Sequence, residues 1–227
     1  MIVGSLLFTR DLPEERLVAT SARQFIRYAL SIGAFQFPPG GFTLKGGRNS
    51  PYLFNSGAFC TGESIGVLAR AYASMIRGHF RPPAAVFGSA YKGIPIVTAL
   101  AQVLGGTVGY AFNRKERKNH DEGGIVVGAA LEGKEVLIVD DAVTSGSSVR
   151  EAFMIIKAAG GIPIGCAAAF DRQEIGDDGS QSAIQELKQD FGMDVLAIAS
   201  LTDLLNEIED GPNLDKLLTY RRLYGAA

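Results

Sequence analysis

A chain of 227 residues, 47% hydrophobic and 20% charged, is long enough to bury one sizeable core, which excludes a disordered or fibrous class. A formal net charge of -2 excludes an overall electrostatic pull toward nucleic acid or an anionic membrane, so an anionic ligand must meet locally focused positive charge. The two cysteines, Cys60 and Cys166, lie far apart without metal-ligand spacing and read as reduced, part-buried thiols rather than a disulfide framework.

In chain order, Met1 to Arg10 has an apolar run but neither a basic leader nor a small-residue cleavage site, and is not read as a signal peptide. Glu14 to Ser31 has the spacing of an amphipathic helix, with Leu17, Phe25, Tyr28 and Ala29 on one side and Arg23 and Arg27 on the other. Pro38-Pro39-Gly40-Gly41 is a turn cluster. Phe42 to Leu44 and Tyr52 to Phe54 then read as two short strands joined by Lys45 to Asn49, a small cap ahead of a main domain. From residue 63 helix and strand alternate. Helices are expected over 63–78, 93–104, 148–159, 182–191 and 201–209. Strands are expected over 84–87, 108–112, 135–139, 163–170 and 195–199. Apolar strands alternating with helices imply a parallel sheet covered on both faces. The uncharged stretch Gly93 to Asn113 contains Pro95, Gln102 and Gly105-Gly106, so helix, turn and strand explain it better than a membrane span.

Ligands of such sheets bind beyond the carboxyl ends of the strands. That rule selects Gly88 to Lys92, Asn113 to Gly124, Asp140 to Ser147 and Asp171 to Glu174. The third is the most informative. Four aliphatics, Val136 to Val139, run into Asp140 and Asp141, then Ala142, Val143, Thr144, Ser145, Gly146, Ser147 and Ser148 lead into a helix. Small residues at a helix N-terminus offer backbone N–H groups and hydroxyls to a phosphate. Twin carboxylates at the mouth can accept hydrogen bonds from sugar hydroxyls, directly or through a hydrated cation. A plain N-cap at Ser147 or Ser148 would explain one serine but not the two acids. No lysine follows the glycine, which excludes a Walker A loop, and the glycines are too few for a dinucleotide fingerprint.

The segment Val136 to Ser148 resembles the phosphoribosyl pyrophosphate motif of the type I phosphoribosyltransferases. Phe42-Thr-Leu-Lys-Gly-Gly-Arg-Asn-Ser-Pro-Tyr-Leu-Phe-Asn55 narrows the likeness to the orotate phosphoribosyltransferase family. So do Gly88 to Pro95, Phe112 to Gly124 and Asp171-Arg-Gln-Glu174, which appear in the family's order. The resemblance implies an α/β fold of the type I phosphoribosyltransferase kind, a central parallel sheet flanked by helices with a small N-terminal hood. It places an N-terminal helix and hood in 1–60 and the core in 61–227. It implies transfer of a phosphoribosyl group from phosphoribosyl pyrophosphate to orotate, with Mg²⁺, in a cytoplasmic homodimer with shared active sites. By the same resemblance, Lys45, Tyr91, Lys92, Arg114, Lys115, Lys118 and His120 meet phosphoribosyl pyrophosphate, together with Asp140, Asp141 and the loop Ala142 to Ser148. Lys115, Lys118, His120, Asp140 and Asp141 are the expected catalytic set, the first three on a lid that also carries Arg117. Leu53, Phe54, Thr144 and Arg172 are the expected orotate contacts. Gly46, Leu53, Asn119 and Asp121 depart from the residues common in the family, and none removes a charge that the chemistry needs. Two rival readings stand beside this one: transfer to another base such as a purine, and a regulatory protein that only senses phosphoribosyl pyrophosphate.

Overall fold

The computed structural model describes residues 21–44, 47–115, 125–176, 179 and 181–226. A six-stranded sheet dominates, in the order β10-β9-β8-β5-β6-β7. Its strands are β5 (Ala85–Gly88), β6 (Gly109–Asn113), β7 (Val126–Gly128), β8 (Glu135–Val143), β9 (Ile162–Asp171) and β10 (Asp194–Ser200). All neighbours are parallel except β6 and β7. The chain starts at β5, runs outward through β6 to β7, and returns to β8 on the other side of β5. The loops after β5 and β8 therefore leave in opposite directions and open a crevice between them.

Period-2 alternation divides the strands between two apolar layers. On one face Val86, Leu137, Val139, Ala167 and Ala169 pack with α2 (Gly62–His79) and α3 (Gly93–Leu104). On the other Ala85, Phe87, Val136, Ile138, Cys166 and Ala168 pack with α4 (Ser147–Ala158) and α5 (Ala183–Phe191). Covering both faces is what lets these strands read as near-continuous apolar runs.

The hood is built from two small antiparallel pairs. β1 (Phe35–Gln36) pairs with β4 (Leu53–Phe54), and β2 (Phe42–Thr43) pairs with β3 (Asn49–Ser50). This corrects the expected pairing of Phe42 to Leu44 with Tyr52 to Phe54: β4 turns to Phe35, because Phe35, Phe54 and Phe170 form one aromatic cluster with ring centroids 5.0–5.6 Å apart. The first helix, α1 (Ala22–Ser31), starts later than its apolar spacing suggested. Ser21 is extended and caps the Gln24 N–H while the Gln24 side chain caps the Ser21 N–H, a reciprocal box that marks a helix start. Residues 14–20 of the expected helix lie outside the described residues. The C-terminal part also differs. α6 (Leu201–Leu205) is shorter than expected, and a further helix, α7 (Pro212–Tyr224), follows it and buries Leu217 and Tyr220. Among the described residues no helix is long and apolar enough to cross a membrane, and the stretch 93–113 is α3, a glycine turn and β6. Both cysteines are free; Cys166 is buried in β9, whereas Cys60 is exposed rather than part-buried.

Candidate active site

β8 extends four residues beyond its expected end and carries Asp140 and Asp141 within the strand, both half-buried. Its pairing with β9 continues to Val143, opposite Asp171, and this fixes the direction of both acids. The Asp140 carboxylate accepts from the Ser148 hydroxyl and from the Asp141 N–H at 3.0 Å. Asp141 accepts from the Ser56 hydroxyl at 2.7 Å, from Lys92 Nζ at 3.3 Å and from the Ala142 N–H at 2.9 Å. The acid pair thus joins the phosphate-type loop behind it to the β5 loop and to the short turn after β4. Tyr72 of α2 donates to the Asp140 carbonyl at 2.6 Å. Burial pushes the Tyr72 hydroxyl well above its ordinary pKa, and the charges of Asp141 and Asp140 add to that, so it remains a donor.

Behind the acids, Thr144 to Gly146 bend into α4. Gly146 is the N-cap, in the left-handed region at φ 78°, where the absence of a side chain is what the turn requires. A Cβ there would also meet the Leu187 side chain at 3.0 Å. Neither serine is the cap: Ser147 and Ser148 are the first residues of α4, and Ser148 turns to Asp140. Helices α1, α2, α5 and α6 each carry a side-chain cap box at their start. α3 and α4, the helices that follow β5 and β8 at the crevice, have none. In α3 the Gly93 and Ile94 N–H groups are bonded to the Ser89 and Tyr91 carbonyls and Pro95 has none, so the start of α4, with its first-turn N–H groups and dipole, is the positive end to which an anion can bind.

The β5 loop is drawn tight because Gly88 and Gly93 touch. A Cβ on Gly88 would lie 2.7 Å from the Gly93 carbonyl oxygen, and one on Gly93 would lie 2.6 Å from the Gly88 carbonyl carbon. Asn113, buried at the end of β6, accepts the Ala90 N–H at 2.8 Å and ties the loop to the sheet. The Ala90–Tyr91 peptide bond is cis. Tyr91 is 68% exposed, and Lys92 reaches Asp141. Both line a cavity of about 520 Å³ with Ser56, Cys60 and Thr61. Arg114 follows β6, its N–H bonded to the Ile125 carbonyl at 2.8 Å, and Lys115 is exposed. Lys45, Arg117, Lys118 and His120 lie outside the described residues, as do Gly46, Asn119 and Asp121.

Arg172 follows β9, one strand away from the twin acids. It is 2% exposed, in contrast to a surface ion pair. Its Nε donates to Glu174 Oε1 at 2.6 Å and its Nη2 to the Ser50 hydroxyl at 2.8 Å. The guanidinium lies 4.2 Å from the centroid of the Tyr52 ring. Burial opposes this charge, but Tyr52, Glu174 and Tyr220 outweigh it and hold the pKa above its ordinary value. The Tyr52 hydroxyl is buried with no hydrogen-bond partner among the described residues, so the ring face is what the fold uses. Phe54 is buried against Phe170, and Leu53 is half-buried beside it.

The structure thus brings together Lys92, Asp140, Asp141 and Thr144 to Ser148 at one crevice, with Arg172 at the next strand end. Ser56, Tyr72, Asn113 and Glu174 also serve this region and had been given no role. Ser56 follows Asn55 in an unremarkable turn, and Tyr72 sits within the apolar spacing of a helix, so neither carries a local signal. Glu174 ends the segment Asp171-Arg-Gln-Glu174, and the burial of its carboxylate shows only once the fold brings its partners to it. Among the described residues no group of three or more His, Cys, Asp or Glu side chains is arranged to hold a metal ion.

The model of the phosphoribosyl transferase domain family matches residues 61–194. The orotate phosphoribosyltransferase of Nitrosococcus oceani is 49% identical over 210 residues, covering 89% of this chain and 94% of its own. That of Xanthomonas axonopodis pv. citri is 47% identical over 210 residues, with 89% and 95% covered. The crystal structure of the orotate phosphoribosyltransferase of Francisella tularensis matches with a TM-score of 0.74 at 38% identity, covering 89% of this chain and 99% of that one.

Proposed function

This chain belongs to the orotate phosphoribosyltransferases, a branch of the phosphoribosyl transferase domain family, and from that premise we propose how its crevice performs the transfer. The reaction moves the 5-phosphoribosyl group from phosphoribosyl pyrophosphate to orotate, giving orotidine 5′-monophosphate and pyrophosphate. The observation that carries the reading of the site is the run of β8 through Asp140 and Asp141 into the uncapped start of α4, with Lys92 held on Asp141. The loop Ala142 to Ser148 seats the 5-phosphate through backbone N–H groups and hydroxyls. Asp140 and Asp141 hold the ribose hydroxyls and favour the positive charge that develops at the anomeric carbon. Lys92, Arg114 and Lys115 meet the pyrophosphate, whose charge grows as the C1–O bond breaks, so their donors act most strongly in the transition state. Lys45, Lys118 and His120 join them by resemblance alone. Arg172 pairs with the orotate carboxylate, for which a guanidinium fork is suited, and Leu53, Phe54 and Thr144 frame the ring. Orotate N1 attacks with inversion, and no covalent protein intermediate is needed.

Two half-buried carboxylates are too few to cage a metal but fit a Mg²⁺ ion that keeps water and substrate oxygens as its other ligands. Asp140 and Asp141 would hold that hydrated ion, which when bound supplies neutralisation of the leaving pyrophosphate. The proposal includes a cytoplasmic homodimer in which lid residues reach the neighbouring subunit's site. The decisive measurement follows orotate absorbance in the presence of phosphoribosyl pyrophosphate and Mg²⁺, with purine bases in parallel. Loss of orotate absorbance, abolished by chelation, is expected. Turnover of a purine with none of orotate would overturn the assignment.

A further inference from the structure

The Arg172 side chain is held by more than its own strand. Its Nε donates to Glu174 and its Nη2 to Ser50, so two neighbours fix the plane of a guanidinium whose geometry suits a planar carboxylate. Glu174 is itself buried, and a buried carboxylate persists only when its oxygens are satisfied. Besides Arg172 it accepts from the Tyr220 hydroxyl at 2.9 Å and faces Arg48 Nη1 at 3.5 Å. Tyr220 belongs to α7, which no part of the proposed chemistry uses. The end of the same helix clasps the loop that bears Arg172: Ile175 N–H donates to the Tyr224 carbonyl at 2.9 Å, and Ala226 N–H donates to the Gln173 carbonyl at 2.9 Å. Tyr220 and Tyr52 also stand edge to face, with centroids 6.1 Å apart, so α7 backs the ring over which the guanidinium lies.

We propose that Glu174, backed by Tyr220 of α7, is the positioning residue for Arg172 and so sets the affinity for orotate rather than for phosphoribosyl pyrophosphate. This rests on the reading of Arg172 as the partner of the orotate carboxylate. Glu174 touches no substrate. It fixes the angle of the guanidinium and balances its charge, and Tyr220 fixes Glu174 in turn. The C-terminal helix is then part of base recognition although it lies outside the crevice.

The test compares Glu174→Gln, Tyr220→Phe, Arg172→Gln and the Arg172→Gln/Glu174→Gln double variant, measuring kcat and KM for each substrate together with thermal melting. Glu174→Gln is expected to raise the orotate KM about tenfold and Tyr220→Phe about threefold, with the phosphoribosyl pyrophosphate KM unchanged. In the Arg172→Gln background the Glu174 substitution is expected to add nothing, because the two act as one unit. Should Glu174→Gln fail to fold, Tyr220→Phe decides, since it keeps the ring and removes only the hydroxyl. An orotate KM that rises in Arg172→Gln but stays unchanged in both other single variants, or a parallel change for both substrates, refutes the positioning role alone. An unchanged orotate KM in Arg172→Gln refutes the Arg172 assignment beneath it.

Discussion

Asp141 collects donors from three parts of the chain: Ser56 after the hood, Lys92 after β5 and the Ala142 N–H in its own strand. A carboxylate so held is oriented before substrate arrives, and preorganised charge is the kind that lowers a barrier. Asp141→Asn keeps the shape but removes the charge, and kcat/KM for phosphoribosyl pyrophosphate is expected to fall about 100-fold with little change in melting temperature. A loss below threefold would show that the acid does not sense the developing ribose charge. The residue scale also shows what local sequence withholds. The two acids were legible because ionisable residues directly after four aliphatics are unusual. Ser56 and Tyr72, 85 and 68 residues from their acceptors, were not, because hydrogen bonds of that span exist only after the sheet has formed.

At the scale of elements, the joint between β5 and α3 rests on the Gly88–Gly93 contact. Gly93→Ala forces backbone apart, since the new methyl meets a carbonyl carbon rather than a movable side chain. A cost of about 1–3 kcal/mol is expected, visible as a lower denaturation midpoint, with a raised KM for phosphoribosyl pyrophosphate as Lys92 shifts. A second joint pairs α1 with the turn after α6, where Glu207 meets Arg23 at 2.7 Å and Arg27 at 2.5 Å. The Arg27 hydrogen bond, with Arg23, holds the Glu207 carboxyl below its ordinary value. A lowered folded-state pKa means stability that is present above the unfolded-state value and lost as pH falls through the folded one. Glu207→Gln is therefore expected to melt below the parent at neutral pH, and the two curves to converge in acid. A gap that persists in acid would rule out the ion pair as its source. Strongly periodic elements such as α2, α3 and the central strands were readable. β7, three residues long, and α7 were missed for a physical reason: α7 buries only Leu217 and Tyr220 among charged neighbours, so it has almost no apolar stripe.

At the scale of the whole molecule, the candidate site lies where the strand order reverses; alternating helix and strand pointed to the carboxyl ends of the strands, and the strand order comes from the structure. What the order of elements did not reveal is that the two chain-terminal parts meet: α7 and the hood close on each other through Tyr220, Tyr52, Arg48 and Tyr224. The proposed sharing of sites between subunits makes a test at this scale. Mixing a Lys115→Ala protein with an Asp140→Ala/Asp141→Ala protein is expected to restore part of the parent turnover, since one site in the mixed dimer keeps both intact sets. No recovery in verified heterodimers would exclude a lid that crosses between subunits. The unequal placement of the two thiols has a practical use. Cys166 is sealed in the sheet, its thiol pushed up by burial and by Asp140, whereas Cys60 opens beside Tyr91 and Lys92. A chromogenic alkylating agent should titrate a single sulfur in the native enzyme and a second only after denaturation. A fluorophore carried at that naturally addressable position would stand within sight of the cavity that Tyr91 and Lys92 line, turning the unmutated protein into its own optical reporter of occupancy.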